Sequence, residues 1–257
     1  LIAVLFAVMM AGCRTGSVEN TPAPENEQAA EAGEARQEET PQETVEIRIG
    51  GLKGPTSMGM VWLMESNEAG KTANKYRFTI AGSADELTPK LIQGELDMAA
   101  VPANLAAVLY NNTDKSVKLL AVNTLGVIYI VGKGNTVKSL EDLKGKTIYA
   151  TGKSSVPEYA LRYLLSQKGI NPDTDVTIEW KAEPTETVAL LKENESGIAM
   201  LPQPYVTVAQ GQVEGLHIAV DLTDEWDRLE NRSTFITGVL IARSEFVDKY
   251  PEQVKAF

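Results

Sequence analysis

From Val45 onward the chain switches between two spacings of apolar residues. "VEIRIGG" alternates apolar and polar positions as a half-buried strand does, and "SMGMVWLMESNEA" repeats apolar residues at helical intervals. "YRFTIAG" reads as a second strand. "SADELTPKLIQG" reads as a helix capped by Ser83 and closed by Gly94. A third strand, "LDMAAVP", leads into the helix "ANLAAVLYNN", opened by Asn104, and then into the long β-rich run "VKLLAVNTLGVIYIVGK". Thr56 or Ser57 is the expected cap of the first helix.

The pattern then starts again. "SLEDLKGKTIYATGKSSVPEYALRYLLSQKG" gives helix, turn, strand, glycine-serine loop and helix. "DVTIEW", "TETVALLKENE", "GIAMLPQP", "YVTVAQGQ" and "TGVLIARSEF" follow as strand, helix, strand, helix and strand. Such alternation predicts an α/β fold of mostly parallel sheets flanked by helices. Two α/β units in series predict two lobes, 45–125 plus 238–257 and 126–237. The β-rich stretches 118–132 and 236–243 are the expected crossings between them.

Ligands bind outside the carboxyl ends of strands in open α/β sheets. The loops there hold Gly54, Pro55, Thr56 and Ser57; Gly82; Pro102 and Asn104; Ser154 and Ser155; and Gln203 and Pro204. Most are small, polar and uncharged, and several run into a helix. Free backbone N–H groups and hydroxyls at such helix ends suit a polar or anionic headgroup. The "GPTS" and "GKSS" turns are expected to face each other and grip one small ligand.

Charge and composition narrow the function. The 257 residues carry a formal net charge of −11 and are 43% apolar, enough for a substantial core. No basic patch stands out, which argues against a nucleic-acid partner. One cysteine and one histidine exclude a Cys₂His₂ or Cys₄ zinc site, so no metal or cofactor is expected. His217, in "EGLHIAV", reads as a packed or surface histidine at the start of a strand rather than a triad base.

The first 13 residues, "LIAVLFAVMMAGC", form an apolar run too short to span a bilayer, ending in small residues and the cysteine. It reads as an N-terminally incomplete signal peptide. Met10-Ala11-Gly12-Cys13 resembles a bacterial lipobox, with Met where Leu is usual, and makes Cys13 the expected lipidated residue. Residues 14–44 hold eight Glu against two Arg and almost no apolar bulk. They read as a disordered acidic linker.

Catalytic motifs fail on inspection. "IYATGKSS" has Gly-Lys-Ser, but Thr147 stands where a Walker A loop needs its first glycine, and no strand-terminal Asp follows for Mg²⁺. A G-x-G-x-x-G fingerprint is absent. Asp97 enters a strand and reads as a structural group bonding local backbone.

Four segments carry a resemblance: "GELDMAAVPANLAAVL", "SLEDLKGKTIYATGKSS", "VALLKENESGIAMLPQPYVTVA" and "GVLIARSEF". Over residues 45–257 the chain resembles solute-binding proteins of bacterial ABC importers. Within the type II periplasmic-binding proteins it is most similar to the branch for nitrate, sulfonates, taurine and thiamine-pyrimidine precursors. The resemblance implies two lobes joined by two crossing strands and a small-molecule ligand closed between them. It also implies an ABC permease partner in the membrane, a lipid anchor, a monomer, an extracytoplasmic location and no catalysis. By position it assigns ligand contacts to Gly54, Pro55, Thr56, Ser57 and Met58, and to Asn104, Asn123 and Thr124. In the second lobe it assigns Ser154, Ser155, Gln203 and Pro204. Lys53, Lys153 and Lys181 are candidate charged contacts, and Trp180 a candidate wall of the cleft; Trp62 and Trp226 could be core. Family members continue beyond the second crossing, so the first lobe is expected to be C-terminally incomplete. The rival readings are an enzyme on the same fold related to pyrimidine-precursor synthesis, and a sensor that presents ligand to a receptor kinase.

Overall fold

The computed structural model describes residues 45–135 and 137–257. The segments read from sequence as a signal peptide and an acidic linker, with Cys13, lie outside these residues. Among the described residues ten strands form two five-stranded sheets, one per lobe. In lobe 1, β1 (Glu46–Leu52), β2 (Lys75–Ala81), β3 (Met98–Pro102), β4 (Val117–Leu125) and β10 (Ile236–Arg243) stand in the order β2-β1-β3-β10-β4. In lobe 2, β5 (Ile128–Lys133), β6 (Thr147–Ala150), β7 (Thr177–Trp180), β8 (Ile198–Pro202) and β9 (Leu216–Asp221) stand in the order β7-β6-β8-β5-β9.

The two orders match position for position. Each sheet is parallel except for its fourth strand, which is the strand arriving from the other lobe. β10 runs antiparallel to β3 and β4, and β5 antiparallel to β8 and β9. Helices cover both faces, so central strands bury both sides: all five residues of β3 are buried, a continuous apolar run rather than an alternation.

The helices are α1 (Pro55–Met58), α2 (Val61–Glu68), α3 (Ala84–Ile92), α4 (Ala103–Asn112), α5 (Val156–Gln167), α6 (Pro184–Glu193), α7 (Tyr205–Gln212), α8 (Leu222–Asp227), α9 (Ser244–Lys249) and α10 (Pro251–Ala256). In lobe 1, Leu87, Leu91 and Leu109 pack with Ala99 and Val101 of β3, while Met60 and Phe246 pack with Ile47, Ile49 and Met98. In lobe 2, Leu161, Leu164 and Leu165 of α5 pack with Ile130, Ile148 and Met200, and Val188, Leu191 and Val206 form a second cluster with Val131 and Leu201. Burying one such side chain contributes about 1.5–3 kcal/mol, so these clusters drive the fold.

Several boundaries differ from the sequence reading. The first expected helix is two, because the chain breaks at Gly59–Met60. Its cap is Gly54, and Thr56 and Ser57 are buried within α1. Asn104 is the second residue of α4, with Pro102 at the cap. "SLEDLKGK" forms only a 3-10 turn at Glu141–Leu143. "FVDKYPEQVKAF" breaks before Pro251, whose ring cannot continue the preceding helix. Trp62 is 79% exposed rather than core.

The β-rich stretch 118–132 holds most of β4 and most of β5. Gly126 and Val127 both have positive φ, 57° and 63°, which turns the chain from one sheet into the other. A Cβ at Gly126 would stand 2.1 Å from Thr223 Oγ1, so glycine is required there by both space and conformation. The returning crossing lies alongside: Gly126 N donates to Phe235 O at 2.8 Å, just before β10 begins.

Asp97 is structural, but its partners are not local. Only 3% exposed, its carboxylate accepts from Arg48 N (2.9 Å), Arg48 Nε (2.9 Å), Arg48 Nη2 (2.6 Å) and Arg243 Nη2 (3.3 Å). Burial alone would raise its pKa, but the hydrogen bonds from the Arg48 guanidinium and backbone N–H, the Arg48 charge and the Arg243 hydrogen bond outweigh it and hold Asp97 below the ordinary carboxylate value. The cluster sits where β1, β3 and β10 meet, pinning a parallel and an antiparallel neighbour together.

Candidate ligand-binding cleft

The loops after β1, β2 and β3 approach the loops after β6, β7 and β8 across the gap between the sheets. Three contacts mark the line of approach. Lys53 Nζ meets Glu183 Oε1 at 3.2 Å. Asn104 Nδ2 donates to Ser154 O at 3.2 Å. A Cβ built on Gly54 would lie 3.9 Å from Tyr205 Cε2, so the "GPTS" turn abuts the start of α7, next to Gln203 and Pro204. Thus Asn104 is a cross-lobe neighbour of "GKSS" and Tyr205 of "GPTS". Glu183 also approaches Gly82: a Cβ there would stand 3.2 Å from Glu183 Oε1.

Asn123 and Thr124 serve the "GPTS" turn. Asn123 Nδ2 donates to Thr56 O at 2.8 Å, Thr124 Oγ1 donates to Asn123 Oδ1 at 3.2 Å, and Thr237 Oγ1 donates to Thr124 O at 3.2 Å. The turn is therefore anchored to both crossing segments. Within it Ser57 Oγ is buried without a partner. Met58 is 51% exposed beside Val61 and Trp62.

The N–H groups expected to be free at these helix ends are largely taken. Gly82 N and Ser83 N both donate to Glu86 Oε1 at 3.0 Å. Ser154 N donates to Glu158 Oε2 at 2.7 Å, and Ala182 N to Glu186 Oε2 at 3.2 Å. Each glutamate is the third residue of its helix, the position from which a side chain folds back onto the cap. Gln203 Oε1 accepts from Thr207 N (3.4 Å) and Thr207 Oγ1 (3.1 Å) in the same spirit at α7. Sequence reasoning missed Glu158 and Glu186, although Ser155–Glu158 has the S-x-x-E interval that signals such capping; Glu183–Glu186 has the interval without the Ser or Thr.

The charged candidates are mostly engaged. Lys181 Nζ pairs with Glu179 at 3.1 Å and stands 5.5 Å from the Tyr149 ring centroid. Lys153 is exposed on its loop, and Trp180, partly buried, packs against the lobe 2 core. At the hinge end of β5, burial and the nearby Asp221 and Asp224 charges push the Tyr129 phenol up. His217 pairs with Gly132 at the far end of β5, whereas Tyr129 pairs with Asp221 at the hinge end. Among the described residues no group of three or more His, Cys, Asp or Glu could hold a metal ion, and no helix is long and apolar enough to cross a membrane.

The profile of the NMT1-like family matches residues 42–257. The chain belongs to the NMT1-like family. This NMT1-like chain has the two-lobed fold of the type II periplasmic-binding proteins, as comparison with solved structures bears out. An ABC transporter protein from Parabacteroides distasonis superposes with a TM-score of 0.63 at 21% identity, over 81% of this chain and 69% of its own. The periplasmic aliphatic sulphonate binding protein SsuA from Escherichia coli gives 0.63 at 19% identity, over 82% and 69%. The periplasmic nitrate-binding protein NrtA from Synechocystis gives 0.60 at 14% identity, over 83% and 59%. No curated protein matches the chain in sequence.

Proposed function

We propose that this chain is an extracytoplasmic solute receptor, lipid-anchored through Cys13, that captures a small organic ligand between its lobes and delivers it to an ABC permease. The observation that carries the reading is the convergence of strand-end loops from both sheets on one cleft, with Lys53–Glu183 and Asn104–Ser154 already spanning it. The names of the sulphonate- and nitrate-binding neighbours support the class of function.

The residues assigned to ligand are those of the "GPTS" turn through Met58, with Asn104, Ser154, Ser155, Gln203 and Pro204. Gly82 and Pro102 line the approach, and Asn123 and Thr124 act by positioning the turn. The crossings at Gly126–Val127 and Phe235–Ile236 supply a hinge, since two short adjacent segments absorb a rotation while each lobe stays rigid. A thermal-shift screen of the mature protein against sulfonates, nitrate, pyrimidines, amino acids and peptides tests the reading. A ligand at 100 times its Kd adds about 2.7 kcal/mol of stability. Small-angle scattering should then show a smaller radius of gyration with that ligand than without it. A screen in which no small molecule raises the melting temperature overturns the proposal.

A further inference from the structure

We propose that the ligand is uncharged and carries an apolar, ring-sized body, held in a cavity of about 300 Å³ beside the hinge. The inference rests on the solute-receptor reading and specifies the class of solute. The cavity lies between the start of α4 in lobe 1 and α5 and α8 in lobe 2, and it is floored by the returning crossing. Asn104, Tyr159, Tyr163, Trp226 and Phe235 line it, with aliphatic residues and one threonine completing the wall.

Three observations converge. First, no charged side chain lines the cavity. A charged ligand group there would lose its hydration without gaining a counter-charge. An apolar body gains by leaving water, and the wall has aromatic faces to meet it. Trp226 and Phe235 are stacked at 5.0 Å and 10°, and Tyr163 stands 5.4 Å from Trp226 at 53°.

Second, three of the helix ends that could hold an anionic head carry negative charge of their own. Glu86, Glu158 and Glu186 already accept the N–H groups of the 82–83, 154 and 182 loops. An anion arriving there would have to displace a carboxylate that is covalently tethered in place.

Third, Asn104 asks for a donor. Its Nδ2 must face Ser154 O, because the reverse amide would set two oxygens together, and this leaves Oδ1 buried with no partner. A neutral ligand can bring an N–H or O–H to that edge of the cavity as the lobes close. A sulfonate or nitrate ion can only accept, and leaves the acceptor unmet.

The experiment measures Kd by ligand-observed NMR on the full chain with four probes: benzamide, benzoate, N,N-dimethylbenzamide and methanesulfonate. Benzamide and benzoate share a ring and differ in charge and donor; the dimethyl compound stays neutral, removes the donor and adds two methyl groups. Benzamide should bind about tenfold or more tighter than the other three, and Asn104→Ala should remove about tenfold of its affinity. Equal binding of benzamide and benzoate overturns the inference, as does tighter binding of methanesulfonate. Absence of benzamide binding at millimolar concentration also overturns it. Methanesulfonate binding that shrinks the radius of gyration would sink this inference while upholding the receptor reading. The wild-type comparison needs no variant, so it decides the matter even if Asn104→Ala perturbs the fold.

Discussion

Replacing Asp97 with alanine should destabilise lobe 1 more than any surface change can. The carboxylate accepts three hydrogen bonds from Arg48 and one from Arg243 while only 3% exposed. The guanidiniums are themselves partly solvated, with side-chain exposures of 36% and 22%, so water takes over some of what they lose. The Arg48 backbone N–H is the costlier orphan, since an unmet buried donor costs about 1–3 kcal/mol and each lost charged hydrogen bond adds to that. Breaking a buried pair by removing one partner costs about 3–5 kcal/mol, and the partial exposure of the arginines places this case near the lower end. For a body of this size each kcal/mol moves Tm by about 2–4 °C, so Asp97→Ala should lower it by roughly 10 °C. Asp97→Asn keeps one acceptor and should lose about half as much. The pH dependence has a definite sign. The folded pKa is depressed, so the contribution is fully present above the unfolded carboxylate value near about 4 and is lost as pH falls through the lower folded pKa. Urea denaturation followed by circular dichroism at neutral and acid pH measures both effects. A loss below about 1 kcal/mol at neutral pH, or a wild-type–mutant gap that does not narrow in acid, refutes the reasoning.

Other outcomes follow from the same geometry. Leu164→Ala, at a fully buried site on α5, should cost about 2–5 kcal/mol by chemical denaturation, and a loss under about 1 kcal/mol would mean the lobe 2 core is packed otherwise. Gly126→Ala forces a Cβ against Thr223 at positive φ and should lower stability by more than about 1 kcal/mol; Thr223→Ala should restore part of it, and no restoration would discount the steric account. Cys13→Ser should move the protein from the membrane fraction to the soluble one, and continued acylation or sedimentation of the variant would remove the lipobox reading.

Much of the fold was legible because its signals are local. Strand and helix spacings from Val45 to Phe257 depend on which residues neighbour one another along the chain, and the capping box at Ser83 and Glu86 lies within four residues. The second α/β unit repeats the first in the same local terms, which is why two lobes could be read directly. Glu158 was equally local and could have been found by extending the same signature to Ser155–Glu158, whereas Glu186 follows a Glu at 183 and carries no such mark. What the sequence alone determined was therefore the succession of elements and the set of strand-end loops. The tertiary structure decided what those loops meet. Lys53 reaches Glu183 across 130 positions, and Asn104 reaches Ser154 across 50. Asp97 gathers arginines 49 positions before it and 146 after it. Within the β-rich run 118–132, Gly126 and Val127 turn to satisfy two sheets whose strands come from both ends of the chain. The aromatic cavity likewise joins α5, α8 and the returning crossing, elements whose adjacency follows from sheet order and not from spacing. Local sequence sets backbone conformation through short-range sterics and hydrogen bonds, whereas the pairing of distant loops depends on burial shared by segments that only the folded chain brings together.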